Sequence, residues 1–218
     1  MNNPTLNYHQ FKFEFEARDW PFLVRPFMLN ALGMRSDNPR AGYFDDTICL
    51  AWTDDDYTPY TFQVSATTDP GTYYLQKPMN PNGTAILAPG FYEKMYCPGL
   101  HRGRYRALVQ VNPCTVIRDA NRDAILDYDG PRETGLFGIN LHRAAARGTT
   151  LTVGPHSAGC QVVQRAHDLA YILALVDGQK KQCGTDFISY ACLPVNDLIA
   201  YNKPGYEPIY KDAIYVSR

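Results

Sequence analysis

Thr47-Ile-Cys-Leu-Ala-Trp-Thr-Asp-Asp-Asp-Tyr-Thr-Pro-Tyr-Thr-Phe-Gln-Val-Ser-Ala-Thr-Thr-Asp-Pro-Gly71 sets the rhythm from which the fold is read. A β-branched and aromatic run is followed by a polar turn, a second such run and a Pro-Gly stop. Such side chains fit a pleated, half-buried surface, while Gly, Pro, Asn and Asp supply the turns. The rhythm continues to Tyr128 and predicts strands over 47–52, 60–66, 71–76, 84–87, 91–96, 105–111, 115–118 and 124–128. Turns are expected at Asp69-Pro70-Gly71, Pro81-Asn82-Gly83, Pro89-Gly90 and Cys97-Pro98-Gly99. Regular short strands with turn signals between them predict a sandwich or barrel.

Working outward, Phe11 to Ala17 alternates apolar and polar residues and reads as a strand. Asp19 is placed to cap a short helix with Pro21 in its first turn, running through Leu32 to Gly33 and kinked near Pro26. Residues 35–46 read as an ordered loop. Downstream, Leu136–His142 and Thr149–Val153 read as strands, about Arg165 to Gln179 as an amphipathic helix, and Phe187–Leu193 as a final strand. The tail from Asn196 reads as irregular packing. The expectation is one α+β domain dominated by β over residues 1–218, with 1–46 as an N-terminal extension packed on it.

Composition excludes several classes. The formal net charge of −1 carries no basic stripe for a phosphate backbone, so nucleic acid is not expected as a partner. No apolar run approaches the roughly 18 residues a membrane helix needs, so no membrane insertion is expected. Met1 to Gln10 lacks the cationic, apolar and small-residue order of a signal peptide, which reads as synthesis in the cytoplasm. The six cysteines lie at wide, irregular spacings without a C-x-x-C pair, a pattern of reduced thiols rather than a disulfide framework or zinc ribbon. The 16 Tyr and 10 Phe are expected first at half-buried strand positions, with a groove lined for a glycan as the lesser alternative.

Chemistry concentrates in Gly138-Ile-Asn-Leu-His142 and His156-Ser-Ala-Gly-Cys160. Cysteine attacks as thiolate and needs a base or positive field nearby, which an imidazole at the end of a neighbouring strand supplies. Small residues at 158 and 159 allow a carbonyl to approach the backbone, where turn amides stabilise an oxyanion. From spacing alone a buried structural thiol beside a satisfied strand histidine stays equally open. Zinc held by His142, His156 and Cys160 is a further option without a visible fourth ligand. Asp54-Asp55-Asp56 reads as a solvated turn before a cation site, and His101 as a surface loop residue.

The stretch Phe137-Gly-Ile139, His142 and Ser157-Ala-Gly-Cys160 resembles the L,D-transpeptidase (YkuD-type) family, in particular a divergent branch in phages and some bacteria where Gln follows the cysteine, as Gln161 does. The match covers residues 135–164. The resemblance implies a β-sandwich core, Cys160 as nucleophile, His142 as general base, and Ser157 and Gly159 shaping the oxyanion turn. Ala158, Asn140, His156 and Arg143 complete the implied oxyanion and substrate-binding set. It implies no cofactor and no metal.

The implied partner is bacterial peptidoglycan, whose peptide stem would be cleaved at an amide through a thioester. The absent leader points to a phage lysis enzyme (endolysin) acting on the wall after release. Cross-link formation by the same thioester, and a non-catalytic wall-binding or virion module, stay open as alternatives. Two departures stand out. Ala158 replaces the family's usual His, and Gln161-Val-Val163 stands where relatives carry an Arg.

Overall fold

The structure, a computed structural model, describes residues 3–202 and 214–215. In chain order the elements are α1 (Tyr8–Glu16), β1 (Asn30–Arg35), β2 (Asp46–Thr53), β3 (Pro59–Thr67), α2 (Thr72–Gln76), β4 (Thr84–Leu87), β5 (Gly90–His101), β6 (Tyr105–Gln110), β7 (Cys114–Asp119), β8 (Arg132–Gly135), β9 (Leu141–Arg143), β10 (Gln161–Val163), α3 (Ala166–Cys183), β11 (Ile188–Pro194), α4 (Ile199–Asn202) and β12 (Ile214–Tyr215). The chain is therefore α+β with strands dominant.

The main sheet runs β10-β9-β6-β5-β11-β1-β2-β3-β12, and β10 also pairs with β3 through Val162–Thr67 and Val163–Ala66. That pairing closes the sheet on itself at this end, covering backbone groups of β3 and β10 that would otherwise form an open edge. A second sheet, β4-β7-β8, packs alongside.

Core packing explains the burial of β1 on both faces. Leu29 and Ala31 join one core, which holds Leu169, Ile172, Leu173 and Val176 of α3 and Ala85, Leu87 and Val116 of the small sheet. Leu32 and Met34 join another, with Phe11 and Phe15 of α1. Alternation of side chains across a strand sends the two sets to opposite faces. Each such large apolar side chain contributes about 1.5–3 kcal/mol when taken from water. The stretch 1–46, read from sequence as an extension, thus holds an interior strand.

Several local expectations are corrected. Phe11–Ala17 is not a strand: Asn7 and Gln10 form a reciprocal capping box, and Tyr8, Phe11 and Phe15 fall on one helical face. Buried Glu14 on that face accepts from the Ile199 and Ala200 amides at the start of α4 and pairs with Arg18. The helix expected from Asp19 to Gly33 is absent, its last residues being β1. Asp19 and Phe27 adopt left-handed φ of 55° and 64°, which a helix excludes.

Residues 71–76 form the short helix α2 rather than a strand. The turn expected at Cys97-Pro98-Gly99 is continuous β5; beyond Tyr96 this strand has only β6 as neighbour, and such an edge tolerates proline. Residues 124–128 are irregular, Leu136–His142 contributes only β9, and Thr149–Val153 is limited to one bridge from Thr149 to Arg165. In the tail, a 3-10 turn (Val195–Asp197), α4 and β12 are formed; residues 203–213 and 216–218 lie outside the described residues.

The strands expected at 47–52, 60–66, 84–87 and 105–111 appear as β2, β3, β4 and β6, and the helix after Cys160 as α3. Gly184, at φ 76°, ends α3 with the left-handed cap that glycine adopts without cost.

Candidate active site

The two chemical segments meet because β9 and β10 are adjacent parallel strands, with Leu141 opposite Gln161 and His142 opposite Val162. Asn140, just before β9, accepts from the Gln161 amide at 2.9 Å, so Cys160 enters the strand beside Asn140. Alternation along the strand puts Asn140 and His142 on one face, while Ile139 and Leu141 turn into the core.

The turn carrying Cys160 is built by its small residues. Fully buried Ser157 receives the Gly159 amide on Oγ at 3.2 Å and donates to the Cys160 carbonyl at 2.9 Å. Gly159 sits at φ 117°, and a Cβ there would lie 2.3 Å from the Ala85 carbonyl oxygen of β4. Only glycine allows β4 to pack this closely behind the nucleophile.

His142 is 3 % exposed. Its Nδ1 lies 2.9 Å from the Arg143 carbonyl, an acceptor only, so Nδ1 carries the proton and Nε2 is bare. Tyr105 Oη lies 3.2 Å from the same nitrogen and donates to the same carbonyl at 3.2 Å. Nε2 has no hydrogen-bond partner among the described residues. Burial, and then the neighbouring His101, hold the imidazole down at about 3, against the pull of the Arg143 carbonyl. The ring is thus a neutral base with its lone pair free.

Cys160 lines a groove of about 520 Å³ together with Gly138, Asn140, Ala158, His101 and Arg102. Its sulfur donates to the Gly138 carbonyl at 3.3 Å, and no hydrogen bond joins it to His142. Crowding by protein pushes the thiol above its ordinary value, while the Asn140 backbone N–H and the charge of Arg102 pull the other way. The resting pair is therefore neutral thiol and neutral imidazole, not the depressed thiolate expected from sequence.

One side chain ties together the groove wall over residues 135–139. Gln110 Oε1 accepts from Phe137 and Ile139 at 3.0 and 2.9 Å, and Nε2 donates to Gly135 at 3.0 Å. Among the described residues no carboxylate lines the groove, although Arg102 and Arg118 do. Arg118 is matched by Glu133 at 2.7 Å, while exposed Arg102 has no ion-pair partner among the described residues.

Of the residues expected from sequence, Cys160, Ala158 and Asn140 reach the groove, whereas His142 does not line it and lies buried under the groove residue His101. Ser157 and Gly159 act behind it through the turn. Arg143 turns its guanidinium onto the Tyr105 ring at 4.3 Å and offers the site only its carbonyl. His156, in a 3-10 turn (Gly154–His156), lies outside the groove and reaches His142 only through its charge.

Sequence reading gave no site role to His101, Tyr105 or Gln110. His101 is no surface residue: it is 8 % exposed and stacks on His142 at 4.0 Å between ring centroids. Gly99-Leu-His-Arg-Gly103, with its closing glycine, signals a hairpin tip but not what that tip covers.

Among the described residues no three His, Cys, Asp or Glu side chains are grouped to hold a metal ion, and all six cysteines are free thiols. Asp54 instead takes the amides of Asp56 and Thr58 and the Tyr60 hydroxyl. None of the known family models, curated proteins or solved structures matches this chain.

Proposed function

We propose that this chain is a cysteine-dependent acyl-transfer enzyme of L,D-transpeptidase type, with the sandwich fold of that family, which cleaves an amide in the peptide stem of bacterial peptidoglycan. The observation that carries the reading is a groove-facing thiol at the start of β10 and, on the adjacent parallel strand β9, a buried imidazole whose bare nitrogen is Nε2. The thiol leaves the Gly138 carbonyl and gives its proton to His142 Nε2 as sulfur attacks the stem carbonyl. Collapse of the tetrahedral adduct breaks the C–N bond, and the Nε2 proton goes to the leaving amine. Water then attacks the thioester, His142 takes its proton, and the thiol is restored.

The uncompensated Arg102 and the acid-free groove suit a substrate bearing carboxylates, as peptide stems do. A setting in phage lysis belongs to the same proposal. The same thioester passed to an amine would form a cross-link, and mass spectrometry separates the outcomes. Purified sacculi incubated with the protein should yield new free carboxyl and amino ends, and Cys160→Ala should yield none while still binding. New cross-links would assign transpeptidation, and binding without any new product would defeat the enzymatic reading.

A further inference from the structure

We propose that His101 is a positioning residue: by accepting a hydrogen bond from the Asn140 side chain it holds the Asn140 backbone N–H toward the sulfur of Cys160. The inference rests on Cys160 being the nucleophile. Asn140 is gripped at both ends of its amide, its Oδ1 accepting from the Gln110 amide at 2.9 Å and its Nδ2 meeting His101 Nδ1 at 3.1 Å. Since Oδ1 is committed to Gln110, the nitrogen that faces His101 is a donor, and Nδ1 must accept. The His101 proton therefore sits on Nε2. Asn140 also stands beside Cys160, its carbonyl accepting the Gln161 amide at 2.9 Å, and its backbone N–H favours the thiolate, so the orientation of this one residue bears on how well a thiolate is received.

His101 is held for this task from three sides. It ends β5 opposite Tyr105, where Arg102 and Gly103 turn the hairpin at φ 50° and 68°. Its ring stacks on His142 at 26° between planes, and its edge meets Asn140. A buried histidine with a merely structural role would need no contact with the residue next to the nucleophile. Only the neutral ring serves, because a proton on Nδ1 would set donor against donor. The charged and titratable groups facing the ring and the sulfur are Arg102 and Tyr105 of the hairpin, His142 of β9, Tyr96 of β5, and Arg118 of β7 across the groove. No carboxylate is among them.

Two variants separate the acceptor from the stack. His101→Gln keeps an acceptor for Asn140 and loses the ring; His101→Phe keeps the ring and loses the acceptor. Alkylation of Cys160 by iodoacetamide, followed by peptide mass spectrometry across pH, needs no substrate and reads the sulfur alone. His101→Phe should slow labelling at pH 8 by about three- to tenfold, the weight of one hydrogen bond, and move the midpoint upward. His101→Gln should stay within about twofold of the parent.

Equal effects from both variants, or a larger effect from Gln, would overturn the assignment. Imidazole nitrogen NMR of the unaltered protein tests it without any variant, since a proton found on His101 Nδ1 in the neutral ring refutes it. Normal labelling behaviour together with inert sacculi would defeat the proposed function and leave this inference standing.

Discussion

His142 gives its Nδ1 proton to the carbonyl of Arg143 at 2.9 Å, its own neighbour in sequence, and that bond orients the ring as a base. No carboxylate is needed to fix the tautomer. Replacing His142 by Gln should lower release of stem fragments from sacculi by about 10²–10⁴, the usual worth of a positioned base, with little change in binding. Retention of full turnover by His142→Gln would assign the base elsewhere, His101 being the other imidazole at hand.

The resting state of the pair has a pH signature. The Cys160 thiol lies above its ordinary value, so thiolate accumulates only as pH climbs through that raised value. His142, at about 3, does not titrate between pH 5 and 8. Iodoacetamide labelling of Cys160 should therefore rise steadily with pH and show no fast plateau at pH 5–6, the mark of a preformed ion pair. Cys160 should still react ahead of Cys49, Cys114 and Cys192, which are buried and likewise raised. A plateau at low pH would show that the ion pair exists at rest.

The same histidine links stability to acid. Its folded value is depressed below its unfolded one, so the unfolded chain binds the proton first as pH falls. This contribution is whole above about pH 6.5, the free imidazole value, and is lost on the way down to about 3. Urea unfolding between pH 7 and 4 should show a steeper loss in the parent than in His142→Phe. Parallel curves would mean that the imidazole is protonated in the native site.

Gly159 couples the nucleophile turn to β4. Alanine there adds a Cβ 2.3 Å from the Ala85 carbonyl oxygen and must hold φ near 117°. Strain of that kind costs about 1–3 kcal/mol before any displacement of β4. Gly159→Ala should lower the urea midpoint with an unchanged slope, and with it turnover, whereas Gly138→Ala, with no atom within 4 Å of its Cβ, should suffer only the backbone cost of φ 72°. Equal stability of the two variants would show that β4 yields freely.

What was legible in the sequence was local. Ser157, Gly159 and Cys160 form one turn, and the α3 periodicity and the β2, β3, β4 and β6 alternations each lie within a single element. Alternating Phe11, Phe13 and Phe15 misled because three aromatics two apart also contain an i,i+4 pair, and the Asn7–Gln10 cap decided for the helix. His101 escaped because its partners are 39 and 41 residues away, in and just before a strand that pairs with the hairpin at Leu108 and Leu141. Such contacts have no signature in a window of ten residues.

Gln110 was equally invisible, and it carries the last prediction. Every polar atom of its amide is used: Oε1 takes the Phe137 and Ile139 amides, and Nε2 gives to the carbonyls of Gly135 and Asn112 at 3.0 Å each. Leucine at this position would fill similar space and leave those groups stranded, at about 1–3 kcal/mol for each that stays buried. The segment that presents the Gly138 carbonyl and the Asn140 N–H to Cys160 would then be free to move. Gln110→Leu should speed amide exchange at Phe137 and Ile139 by at least about tenfold, the equivalent of a single lost hydrogen bond, and reduce turnover more than substrate binding. Gln110→Glu keeps the acceptors but sets carboxylate oxygen against two carbonyls, and should be impaired as well. Unchanged exchange at both amides in Gln110→Leu would show that the groove wall is held by packing alone.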